Sequence, residues 1–120
     1  MKIKDRNKLK RLTQITDAVF QTAQVRLREK SQAEIACRMA LDNLEQDRIK
    51  VLSGLKITEQ VSPAQIVVDA QWLRWAETQR GKLNMSLARA RAATIRERTA
   101  TQRSFGRHQV ALELTHKTAE

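Results

Sequence analysis

The chain has 120 residues, room for one domain, but only 3% are aromatic, tyrosine is absent, and Ala supplies much of the apolar fraction. Charged residues make up 30%, and Ala, Leu, Gln, Glu, Lys and Arg dominate, a composition that argues against a globular core and fits a coiled coil. The net charge of +10 calls for acidic or polyanionic partners, and the lone Cys37 excludes an internal disulfide.

The first predicted element is a helical arm over about 3–52. It opens with a basic run, Lys2, Lys4, Arg6, Lys8, Lys10 and Arg11 against Asp5 alone. An apolar stripe follows in three- and four-residue steps through Leu9, Leu12, Ile15, Val19, Ala23 and Leu27. After the polar stretch Glu29-Lys30-Ser31-Gln32 the stripe resumes with Ala33, Cys37, Leu41, Leu44, Val51 and Leu55. Its narrowness matches a coiled-coil seam rather than a wide core face. Nothing at the start has the apolar stretch of a signal peptide, and no run approaches membrane-spanning length, so a cytoplasmic location is expected.

A linker is expected over 53–62. Ser53-Gly54 offers a helix stop. Ser62-Pro63 offers a start: Ser62 as N-cap, the sole proline at the first helical position, Gln65 completing a capping box, and Val61 with Ile66 as a hydrophobic staple.

The second arm is predicted over about 63–116. Its stripe runs through Ile66, Ala70, Leu73, Ala76, Arg80, Leu83, Leu87 and Ala90, then through Ile95, Phe105 and Leu112 as the seam turns polar. Gly81 and Gly106 are expected to weaken it by about 1 kcal/mol each relative to Ala, as sites of bending. From Arg80 to Arg107 eight basic side chains face Glu97 alone. At 1.5 Å per residue each arm would be roughly 70–80 Å long if continuous.

The expected fold is therefore all-α, a single domain over 1–120. Its two long helices form an antiparallel coiled-coil hairpin that turns near residues 53–62. Such a pair buries little, so a marginal monomer or weak dimer that firms up on binding is expected. The fold-back would bring the two basic runs together and leave a nearly neutral, more apolar tip.

No cofactor, metal or catalytic motif is present: no Gly-rich phosphate loop, no nucleophile elbow, no paired zinc-binding histidines. Cys37 reads as a small residue of the stripe, and His108 and His116 read as solvated helix residues. A two-helix rod has no concave site for acid–base chemistry or a small-molecule substrate, so a non-enzymatic protein is expected. Trp72 and Trp75, with Val68, fall on a face beside the second stripe, and Ile49, Leu52, Leu55 and Ile57 add apolar groups across the seam. Trp is enriched at interface hot spots, so these residues serve either as a partner surface or as a local widening of the core.

With these features in place, the chain resembles the FliJ/YscO-type stalk proteins of flagellar and virulence type III export systems. The likeness rests on Leu9-Lys10-Arg11-Leu12-Thr13-Gln14-Ile15-Thr16-Asp17, on Ala23 and Leu27, and on Arg89-Ala90-Arg91 through Arg96-Glu97-Arg98. The chain is shorter than is usual in that family, and the paired tryptophans match no motif of it. The resemblance implies a cytoplasmic stalk peripheral to the membrane through its partners: a hexameric export ATPase, the export gate and export chaperones. It implies Lys8, Lys10, Arg11, Arg96, Arg98 and Arg103 for contact with the ATPase ring. For the gate or chaperones it implies Ile49, Leu52, Val68, Trp72 and Trp75. The competing expectation is a helical hairpin that binds nucleic acid nonspecifically through its phosphates.

Overall fold

A computed structural model describes residues 2–57 and 62–119. Two helices account for them, α1 over Ile3–Ile57 and α2 over Pro63–Ala119, and among the described residues there is no strand. The expected all-α fold of two long helices is the observed one; of the expected 53–62 linker, residues 53–57 belong to α1 and residues 58–61 lie outside the described residues.

Helix ends follow local chemistry. The Lys2 carbonyl starts α1 by accepting from the backbone N–H groups of Asp5 (3.0 Å) and Arg6 (3.3 Å). The Asp5 carboxylate sits in the first turn, where the helix dipole favours negative charge. Ser62 caps α2 as expected: its Oγ accepts from the Gln65 backbone N–H at 3.1 Å, and its carbonyl accepts from the Ile66 N–H at 3.1 Å. The Gln65 side chain reaches forward, Nε2 donating to Asp69 Oδ1 at 2.9 Å, whereas a capping box has its oxygen accept from the Ser62 N–H. Val61, the other half of the expected staple, lies outside the described residues. His116 and Lys117 place basic groups in the last turn of α2, again with the dipole.

Ser53-Gly54 does not stop α1. The helix runs through both to Ile57, and Gly54 does not take the positive φ that a glycine cap needs. α2 likewise runs unbroken through Gly81 and Gly106.

The helices pack as two units, Met1–Gln32 with Ala92–Glu120 and Ala33–Arg91, called unit 1 and unit 2 here. In unit 1 the pairing is antiparallel: Thr13 meets Thr115, Thr16 meets His108, and the Thr101 hydroxyl reaches the Ala23 carbonyl at 3.2 Å. The seam is mostly small and polar, with Leu9, Phe20 and Leu27 as its bulky apolar members. Leu9, Thr13, Thr16, Phe20, Ala23 and Leu27 of α1 face Thr94, Glu97, Thr101, Ser104, His108, Ala111 and Thr115 of α2. The residues buried there are Ala23, Thr94, Ser104 and Ala111. This corrects the expected stripe. Leu9, Ala23 and Leu27 of that stripe lie in the seam, but Leu12 (42% exposed), Ile15 (60%) and Val19 (47%) lie outside it, as do Ile95 and Leu112 of α2, while Phe105 packs from its edge on Phe20.

In unit 2 the pairing is also antiparallel and the seam is aliphatic. Cys37, Leu41, Leu44, Val51 and Leu55 are partly covered, together with Leu73, Leu83, Leu87 and Ala90, around the fully buried Ala76. Cys37 is thus the small stripe residue that its position implied. Ala33, Ile66, Ala70 and Arg80 of the expected stripes are exposed instead. One cross-helix ion pair marks the register. Glu34, its side chain only 15% exposed, holds Arg38 Nη2 at 2.9 Å on its own helix and Arg91 Nε at 3.4 Å on α2.

Candidate partner-binding surfaces

The charge is concentrated in unit 1. Its sequence carries fourteen Lys and Arg against six Asp and Glu, which is +8 of the chain's +10, whereas unit 2 carries nine against seven. Both basic runs contribute, because packing Met1–Gln32 against Ala92–Glu120 places Lys8, Lys10 and Arg11 in the same unit as Arg96, Arg98 and Arg103. All six are exposed, and among the described residues none enters an ion pair.

Two shallow grooves mark one flank of unit 1. One is lined by Leu12, Thr16, Arg103, Gly106, Arg107, Val110, Ala111 and Leu114. The other is lined by Ala18, Val19, Thr22, Ala23, Arg26, Glu97, Ala100 and Ser104. Leu12 and Val19 are seven residues apart, as are Ala100, Arg107 and Leu114, so both grooves belong to the same helix faces. Arg103 is thus a basic rim of an apolar groove.

A polar cluster ties the two helices together beside it. Thr16 Oγ1 lies 2.9 Å from His108 Nδ1, and His108 Nε2 lies 3.7 Å from Asp17 Oδ1. The His108 ring stacks on Phe20 at a centroid distance of 6.4 Å, and Phe20 packs on Phe105 at 5.4 Å. His108, with a side chain only 13% exposed, is therefore a seam residue, a correction to its reading as solvated. Its spacing of four and three residues from Ser104 and Ala111 was the sequence signal for this. His116 is exposed. Among the described residues no three His, Cys, Asp or Glu side chains group as a metal ion needs, and no helix is long and apolar enough to cross a membrane.

In unit 2, Trp72 and Trp75 pair with ring centroids 6.1 Å apart and planes tilted by 47°. Trp72 is half-buried, while Trp75 (52% exposed) and Val68 (56%) face outward. One indole thus widens the seam, and the other is half exposed to solvent. Ile49 and Leu52 follow Glu45 at four and seven residues. Glu45 shares a groove with Glu77, Arg80 and Asn84, on the flank of α2 away from Trp72 and Trp75. The aromatic pair and the Ile49–Leu52 stripe are therefore separate patches.

Comparison with protein-family models, with characterised proteins and with solved structures found no match to the chain.

Proposed function

We propose that the protein is a non-enzymatic, cytoplasmic helical adaptor that acts as the stalk of a type III export ATPase, linking the ATPase ring to the export gate and chaperones. The observation that carries this reading is the packing of both terminal basic runs into one unit of charge +8 whose Lys8, Lys10, Arg11, Arg96, Arg98 and Arg103 are exposed and, among the described residues, unbridged. Such a surface speeds and orients docking on an acidic ring. The exposed Trp75 and Val68 of unit 2 supply a second, apolar contact suited to a different partner. No cofactor or small-molecule substrate enters this function, and contact with the membrane is only through partners.

The same charge supports a second reading, a nonspecific nucleic-acid binder. Capture of partners from the native cytosol, with and without nuclease and at two salt concentrations, separates the two. A nuclease-resistant hexameric ATPase retained by wild type and lost by Lys8→Glu/Lys10→Glu/Arg11→Glu supports the stalk. Recovery of nucleic acid alone, falling steeply with salt, overturns it in favour of the second reading.

A further inference from the structure

Unit 1 keeps Leu9, Phe20 and Leu27 in its seam but leaves other bulky apolar side chains on one flank. Thr, Ser, Ala and His outnumber Leu9, Phe20 and Leu27 between its helices, while Leu12 (42% exposed), Val19 (47%), Val110 (55%) and Leu114 (42%) line the two grooves of one flank. Apolar area left in water contributes nothing to stability, at about 25 cal/mol per Å² forgone. A groove between two packed helices, with axes about 8–10 Å apart, takes the ridge of a third helix. Its rim is basic. Arg26, Arg103 and Arg107 line the grooves against the single carboxylate of Glu97. Lys8, one turn before Leu12, continues that rim.

We propose that this flank of unit 1 seats an amphipathic helix of a partner protein, apolar on one side and acidic along its edges, which completes a three-helix bundle. The occupant is fixed by charge. A second copy would bring another +8 unit against the first, whereas Glu or Asp at the edges of an incoming helix meets Arg26, Arg103 and Arg107 directly. Leu at the centre of that helix covers Leu12, Val19, Val110 and Leu114, as in other helix-in-groove contacts. The proposal concerns one face and stands whether or not the ring of an export ATPase is the chain's partner.

The test uses the full chain and a labelled synthetic peptide of about three heptads, with Leu at the a and d positions and Glu at the flanks. Its control carries Lys in place of Glu. The decisive comparison is Leu114→Glu against Leu112→Glu, since the two leucines are equally exposed (42% and 41%) but only Leu114 lines the groove. Fluorescence anisotropy is expected to show binding of the Glu peptide alone, weakened about tenfold or more by Leu114→Glu, the size of a hot-spot loss, and unchanged by Leu112→Glu. Methyl NMR shifts are expected at Leu12, Val110 and Leu114 and not at Leu112. If Leu114→Glu lowers helix content, Arg103→Glu with Arg107→Glu, both exposed, replaces it and is expected to abolish binding at low salt. Equal effects of the two leucine variants, binding of both peptides alike, or no binding of the Glu peptide overturns the proposal. So does light scattering that shows a dimer dissolved by Leu114→Glu, which assigns the face to a second copy.

Discussion

Ser62 shows how much one hydroxyl decides in a chain with a single proline. Its Oγ satisfies the Gln65 N–H, one of the backbone donors that a helix start leaves orphaned. The Gln65 amide group is engaged forward, its Nε2 donating to Asp69, so the Ser62 hydroxyl is the side-chain cap seen among the described residues. Ser62→Ala is expected to destabilise the protein by about 1 kcal/mol, and Ser62→Gly by only a few tenths, measured by urea denaturation. Gly81 carries the opposite prediction. It is helical, exposed, and has open space where a Cβ would stand. Gly81→Ala removes backbone entropy from the unfolded chain without a clash. It should stabilise by about 0.5–1 kcal/mol, read as a rise in Tm.

At the scale of the element, the decisive matter is helix phase. Leu41 and Leu44 belong to a heptad whose earlier members, taken back in sevens, are Thr13 and Thr16, not Leu12 and Ile15. Hydrophobicity alone selects Leu12, Ile15 and Val19, each one residue and about 100° of helix away from the observed seam. The fold class, the Ser62 cap and the aliphatic seam around Leu41, Leu44, Leu73, Leu83 and Leu87 were legible because there apolarity and phase agree. Where they disagree, phase prevails, which hid the Thr–His seam and exposed the apolar flank. The stop expected at Ser53-Gly54 fails for a local reason, since Gly54 keeps a helical φ and not the positive φ of a glycine cap. The polar seam carries its own prediction. The hydroxyls of Thr13 and Thr115 lie 2.9 Å apart, and each also lies within 2.9 Å of a carbonyl oxygen on its own helix, so two protons serve three contacts. Neither single Thr→Val change should cost more than about 1.5 kcal/mol, and Thr13→Val with Thr115→Val together should return to wild-type stability or above, because both partners leave at once. A double-mutant cycle by urea denaturation measures that coupling; strict additivity of the two single losses would show that the hydroxyls do not act as a pair.

Across the whole molecule, charge and apolar packing are distributed in opposite senses. Unit 1 combines +8 with a seam mostly of small and polar side chains, whereas unit 2 combines a nearly balanced charge with Leu-rich packing and ion pairs at Glu34–Arg91, Glu45–Arg48 and Glu77–Arg80. Salt should therefore act on the two units with different sign. Raising ionic strength from about 0.01 M to 0.15 M shortens the screening length from about 30 Å to about 8 Å, which relieves the self-repulsion of unit 1. The same screening weakens the half-exposed pairs of unit 2, each worth about 0–1 kcal/mol. Amide hydrogen exchange, resolved by residue, is the measurement that separates them. At low salt the amides of unit 1 should exchange faster than those around Leu41, Leu44 and Leu83; added salt should slow unit 1 markedly and leave unit 2 unchanged or slightly faster. An acidic polyanion too short to bridge the units should act on unit 1 as salt does, at far lower concentration, because it is held by the same lysines and arginines. If salt slows both units equally, then a general strengthening of apolar burial, not charge repulsion, limits the stability of unit 1, and its basic surface carries no energetic cost for a partner to relieve.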